Sequence, residues 1–278
     1  MIKLTNLILR GFGQIMLQNN PYTGLLFLAG ILYNSWLLAL AAIAGCIIST
    51  ATAYVLKFEI KDIEKGIYGF NGALTAIAIY YFFGFNILST ALLVVGSALS
   101  SILQFQIKRI INPYTAPFIL VTWILLFIVH YLFKQPLVSI NSIAGDTSPI
   151  LLTIGNSFGQ VFLQENWISG TLIFIGILIN SPKAALYALV SVVLSTVISK
   201  LVSLPDSQIY TGLIGYNAIL CAIAFSDSKR MATLWIILSV FLSLFIFEFI
   251  GLLGVIPLTA SFVITTWVEK FFMKKVKI

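Results

Sequence analysis

Ten side chains stand out because their types recur at nearly one spacing. Gln14 and Gln160 are 146 residues apart (160 − 14 = 146), as are Gln18 and Gln164, Asn20 and Asn166, and Asn71 and Asn217, while Thr115 and Thr259 are 144 apart. Amides and hydroxyls donate and accept hydrogen bonds without carrying charge, so the set suits a neutral polar solute better than an ion. It does not suit catalysis. His130 is the only histidine, no Cys or His pair has metal-ligand spacing, and no glycine run matches a phosphate-binding loop. A single histidine completes no acid, base and nucleophile set, so no enzymatic activity, metal or cofactor is expected.

Charge-coupled chemistry has equally little to work with. No Asp or Arg falls in the core of an apolar segment, and Glu248, the one clear acid inside such a segment, has Ile102 at its repeat position. Acids within membrane segments are functional suspects by default; a protonated or partnered structural role is favoured for Glu248, with ion coupling through it as the competing reading. The Asn-Pro pairs at Asn20 and Asn112 each continue with Tyr and are not repeat equivalents, which argues against a water-channel motif.

These residues sit in longer repeated blocks. GFGQIMLQNNPYTG (Gly11 to Gly24) returns as SFGQVFLQENWISG (Ser157 to Gly170), GIYGFN (Gly66 to Asn71) as GLIGYN (Gly212 to Asn217), and Tyr114-Thr115-Ala116 as Leu258-Thr259-Ala260. Three blocks in one order mark a tandem duplication. Internal symmetry in an apolar chain is typical of channels and transporters whose permeation site lies where the halves meet. This chain is apolar throughout: 60% of its 278 residues are hydrophobic and 9% charged, against about 25% charged in an ordinary soluble domain. An integral membrane protein is expected, with no cleavable leader in Met1 to Asn20, where Gln14, Gln18 and Asn19 interrupt any apolar core. Cys46 and Cys221 read as small buried residues in apolar runs.

The apolar pattern positions the blocks. A short helix over 3–18 is too brief to span, since a hydrocarbon core needs about 20 residues, and reads as interfacial or re-entrant. Spans follow at about 22–36, 37–56, 66–84, 87–107 and 114–133, then a second short helix near 151–164 and spans at about 168–180, 182–202, 210–226, 231–250 and 255–269. Five spans per half is odd, which inverts the second half relative to the first. Threading ten spans puts fourteen of the sixteen Lys and Arg on one side, leaving Lys134 and Lys200 on the other. Cytoplasmic termini follow from the positive-inside rule, which also accounts for the net charge of +7 without nucleic acid. The fold class expected is therefore an all-α integral membrane protein: an inverted repeat of two homologous halves, each with about five transmembrane helices and one short re-entrant helix. The halves are 1–134 and 149–278, joined by an external linker at 135–148. Lys-rich Lys270 to Lys277 can touch anionic lipid.

Within this frame Pro113, Pro117 and Pro257 predict a non-helical start to each fifth span around Thr115 and Thr259, with carbonyls freed for a permeant N–H donor. Gly66, Gly69 and Gly72 are spaced for close helix approach, and Phe70 and Leu74 share a face, as do Tyr216 and Leu220. Ordinary packing explains such pairs equally well.

With these residues assembled, the chain resembles the urea transporter family, membrane channels shared by bacteria and vertebrates. The likeness covers both halves: GQIMLQNNPYTG and GQVFLQENWISG, GIYGFN and GLIGYN, YTAPF and LTASF. It implies a homotrimer in the plasma membrane, the inner membrane if bacterial, with one pore per subunit and passive conduction of urea through a narrow slot. Phe70 and Tyr216 would be the slot aromatics, Ile15 and Val161 would lie opposite them, and Leu17, Leu163, Leu74 and Leu220 would extend the walls. Gln14 and Gln160 would supply oxygens at the two mouths, and Thr115 and Thr259 hydroxyls at the constriction. This chain departs from the pattern at Trp167, where the repeat has Pro21, at Ser261, where it has Pro117, and at Tyr216, whose hydroxyl replaces a plain Phe face. The Tyr hydroxyl is expected to add a donor or acceptor at one mouth, shifting preference toward other small amides or water.

Overall fold

Polar caps and glycines divide this apolar chain into many short helices. The computed structural model describes residues 4–134, 136–138, 150–227 and 232–275. Among these the chain is helical with no strand, and it divides into two compact units, 1–141 and 142–278. Most of the expected linker, with Asn141, Ser142, Gly145, Asp146 and Thr147, lies outside the described residues, as do Lys3, Lys229, Arg230 and Lys277.

The first unit contains α1 (Leu4–Gln14), α2 (Pro21–Asn34), α3 (Trp36–Val55), α4 (Ile60–Glu64), α5 (Gly69–Phe83), α6 (Ile87–Lys108) and α7 (Ala116–Phe127), the last continuing as a π-helical turn over Ile128–Leu132. The second contains α8 (Ile150–Gln160), α9 (Trp167–Asn180), α10 (Pro182–Leu201), α11 (Asp206–Tyr210), α12 (Tyr216–Phe225), α13 (Ala232–Leu252) and α14 (Ala260–Lys275). The same local chemistry starts corresponding helices. Asn20 caps α2 by accepting from the Tyr22 and Thr23 amides, and Asn166 caps α9 by accepting from Ile168 and Ser169. Ser35 and Ser181 do the same for α3 and α10.

Each unit is built around a helix that is apolar on every side. Fourteen of the fifteen residues of α5 are buried, enclosed by α3, α6, α7 and α1. Nine of the ten residues of α12 are buried, enclosed by α10, α13, α14 and α8. A helix without a polar face has to be a core helix. Small residues admit the neighbours: a Cβ on Gly72 would stand 2.3 Å from the Ser49 Cβ of α3. The tightest crossings are between the first two helices of each unit, where a Cβ on Gly24 would lie 1.7 Å from the Leu9 carbonyl oxygen and one on Gly170 would lie 1.7 Å from that of Gly155.

Several expected spans are shorter than the sequence pattern indicates. Four helices, α3, α6, α10 and α13, are long and apolar enough to cross a membrane. Large apolar side chains such as Phe241, Phe245 and Phe249 on α13 stay uncovered by the protein, as a lipid-facing surface requires, and the chain is an integral membrane protein. The span expected over 66–84 begins only at Gly69 and that over 210–226 only at Tyr216. Gly66 (φ +76°) and Gly212 (φ +82°) occupy the left-handed region and press on the α1 and α8 backbones, so the chain cannot be helical there. Gly66 is therefore a turn residue; Gly69 and Gly72 are the helix-packing ones. The five-residue helices α4 and α11 are additions that the apolar pattern does not announce.

Candidate functional site

The repeated glutamines close the ends of α1 and α8. Gln14 is the last residue of α1, and its Nε2 donates to the Lys65 carbonyl at 3.0 Å; Gln160 ends α8 and donates to the Thr211 carbonyl at 2.9 Å. Both acceptors precede the turns made by Gly66 and Gly212. With the nitrogen held by a backbone oxygen, each side chain presents its Oε1 as an acceptor in a fixed direction. The Gln160 Oε1 is buried with no partner among the described residues, a state that costs about 1–3 kcal/mol unless a ligand or water supplies a donor.

The turns that follow are under strain at matching places. Leu17 (φ 60°) and Leu163 (φ 56°) both adopt the left-handed conformation, which costs an L-residue with a side chain roughly 1–2 kcal/mol. Gln18 and Gln164 hold these turns, their Nε2 atoms donating to the Met16 and Phe162 carbonyls at 3.0 and 2.8 Å. Strain of this kind gathers where function fixes the backbone. Glu165 lies in the turn between α8 and α9, where burial pushes its carboxyl above the ordinary carboxylate range.

At the other side of each core helix, a buried asparagine ties two helix starts together. The Asn71 Oδ1 accepts from the Phe118 amide at 3.1 Å, and its Nδ2 donates to the Gln104 Oε1 at 2.9 Å and the Tyr114 carbonyl at 3.1 Å. Asn217 repeats the arrangement, accepting from the Phe262 amide at 3.1 Å and donating to the Leu258 carbonyl at 3.3 Å. The expected non-helical starts are present: Tyr114 and Leu258 share φ 48°, and α7 and α14 begin just after Thr115 and Thr259, which are both buried.

Two expectations need correcting here. The Leu258 carbonyl is not left free for a permeant donor, because the Tyr216 hydroxyl donates to it alongside Asn217. By the same bond the Tyr216 hydroxyl is spent on backbone and offers no proton to a solute. Burial in a weakly solvating interior forces both outcomes, since an unmade hydrogen bond there is expensive.

A cavity of about 420 Å³ opens within the first unit. Gln14, Leu17 and Phe70 line it, together with Gln104, Lys108 and Tyr114. Ile15, Leu74 and Thr115 are buried and do not form its wall. In the second unit Gln160, Val161, Tyr216, Leu220 and Thr259 are buried and Leu163 is half-buried. Reasoning from the repeat missed Gln104 and the ion pair between Lys108 and Asp62, because neither recurs in the second half. The signal that was available is the run of Ser97, Ser100, Ser101, Gln104 and Lys108, a polar stripe at helical spacing along α6. Among the described residues no three His, Cys, Asp or Glu side chains gather as metal ligands.

A family model described as urea transporter matches residues 5–273. Urea transporter 1 of Capra hircus is 31% identical over 257 residues, covering 84% of this chain and 65% of that protein. Urea transporter 1 of Ovis aries is 30% identical with the same coverage, and that of Rattus norvegicus 29% identical over 250 residues, covering 82% and 64%. The chain thus spans a little under two-thirds of the length of these relatives.

Proposed function

Because this chain belongs to the urea transporter family, we propose that it conducts urea passively, down its gradient, through a slot lined by the two repeated sets of residues. The observation that carries the reading is the fixing of Gln14 and Gln160: in each, a backbone carbonyl holds the amide nitrogen and leaves the oxygen as a preset acceptor. Urea is planar and rich in N–H donors, and each donor stripped of water without replacement costs about 1–3 kcal/mol. Acceptors held in place beforehand replace that water without reorganising. Apolar walls provide no such replacement for an ion, whose dehydration is far more costly.

In this proposal Phe70 and Tyr216 supply the slot faces, Ile15 and Val161 oppose them, and Leu17, Leu163, Leu74 and Leu220 extend the walls. Thr115 and Thr259 form the constriction. The repeated halves are 1–134 and 149–278, the termini are cytoplasmic, and the subunit works within a homotrimer in the plasma membrane, the inner one in a bacterium. No catalytic step is involved.

Stopped-flow urea efflux from proteoliposomes, without an ion gradient, tests the reading. Wild-type protein should accelerate efflux well above empty liposomes, and Thr115→Val/Thr259→Val should return it to that level while remaining folded. Wild-type efflux no faster than that of empty liposomes would overturn the proposal, and other small amides would then be screened.

A further inference from the structure

The cavity of the first unit differs chemically from an acceptor-only slot, and the difference lies on α6. Gln104 is 2% exposed and lines the cavity, and its Oε1 is occupied by the Asn71 Nδ2 at 2.9 Å. That bond fixes the amide and leaves its NH₂ group as a donor on the cavity wall. Lys108 lies one helical turn further along the same face, lines the same cavity and pairs with Asp62. Its ammonium has three donors, so the carboxylate does not exhaust it. The same cavity is lined by Gln14, whose Oε1 is an acceptor, and by Phe70, whose ring is a flat apolar face.

We infer that Gln104 and Lys108 are the donors for the carbonyl oxygen of the solute, making this cavity a docking site for neutral carbonyl amides. Urea has N–H groups for Gln14 and one oxygen for α6, so it meets both walls at once. At about 420 Å³ the cavity also has room for several waters at about 30 Å³ each. Guanidinium and ammonium have no acceptor to offer the two donors. In the second unit the α13 side chain beside the core-helix aromatic is apolar: Phe247 lies edge-on to the Tyr216 ring, with centroids 6.2 Å apart. The docking site is assigned to the cavity of the first unit. The inference rests on the urea-channel reading and names how that same site selects its substrate.

The test is the concentration dependence of urea flux in proteoliposomes of the wild type, Gln104→Glu and Lys108→Met/Asp62→Asn, with Asp62→Asn alone as control. Glutamate keeps the acceptor that Asn71 uses and removes the donor. Each donor-deleting variant should raise the half-saturating urea concentration about fivefold, the worth of one ordinary hydrogen bond. The control should stay within twofold of the wild type. Half-saturation unchanged in both variants, with wild-type flux intact, would overturn the docking site alone. A wild type without urea flux would overturn the channel reading and the docking site together. Should Gln104→Glu fail to fold, Lys108→Arg decides beside the methionine variant, since it keeps a donor and should restore wild-type half-saturation.

Discussion

Replacing Asn71 and Asn217 by leucine separates the two halves energetically, although the residues are repeat equivalents. Asn71 is fully buried, and Asn71→Leu removes three hydrogen bonds: from the Phe118 amide, to the Gln104 Oε1 and to the Tyr114 carbonyl. Asn217→Leu removes two, and the Leu258 carbonyl keeps its second donor, the Tyr216 hydroxyl. With about 1–3 kcal/mol for each buried group deprived of its partner, and imperfect additivity, Asn71→Leu should cost about 3–5 kcal/mol and Asn217→Leu about 1–2 kcal/mol. The shared acceptor makes a further demand. Tyr216→Phe alone should cost under about 1 kcal/mol, because Asn217 still serves Leu258, whereas Tyr216→Phe/Asn217→Leu should exceed the sum of its singles by roughly 1 kcal/mol, as groups in one network do. Reversible unfolding in mixed dodecylmaltoside–SDS micelles measures all four variants. Equal costs for Asn71→Leu and Asn217→Leu, or strict additivity at the Tyr216 and Asn217 pair, would refute the reasoning that donor count at the carbonyl sets the difference.

Other perturbations probe other parts of the molecule. Gly24→Ala and Gly170→Ala each drive a Cβ to 1.7 Å from a backbone carbonyl oxygen, so neither variant should yield a monodisperse gel-filtration peak, while alanine at Gly251, where nothing lies within 4 Å, should behave as wild type. Glu248 has a buried Oε1 without a partner among the described residues; Glu248→Gln should leave passive urea efflux unchanged, and proton-driven accumulation lost in that variant would instead establish coupled transport. Glu165 binds its proton more tightly in the folded chain than in the unfolded one, because burial raises its pKa. Stability should therefore fall as pH rises from the ordinary carboxylate range through the raised value, and Glu165→Gln should flatten that slope in thermal melts between pH 4 and pH 8.

What the sequence made legible was whatever chemistry had to do twice. The recurrence of Gln14 with Gln160 and of Asn20 with Asn166, and the broken starts of α7 and α14, were legible because side-chain bonds to backbone recur when a fold is duplicated; the short helices expected over 3–18 and 151–164 nevertheless end at Gln14 and Gln160, where each amide turns to a backbone carbonyl. Helix ends were less legible because an apolar run continues through a turn as readily as through a helix; only the conformations of Gly66 and Gly212 reveal that α5 and α12 start late. The same reasoning explains why Asn71 reads as a free donor and acceptor in sequence. Its partners, Gln104, Tyr114 and Phe118, are 33 to 47 residues away, and no local pattern reports such distances.

The unrepeated residues carry the opposite information. Gln104, Lys108 and Asp62 in one unit, and the Tyr216 hydroxyl and Phe247 in the other, occupy comparable ground around the core helix but distribute polarity differently. In the first unit the polar group stands on α6 and faces a cavity; in the second it stands on the core helix and is absorbed by the backbone. A scaffold that repeats supplies matched acceptors, and a solute with both N–H groups and a carbonyl oxygen needs donors as well. In the proposed channel those donors are Gln104 and Lys108, where the repeat is broken, so its two mouths should not bind the same solute equally even if net flux is purely downhill.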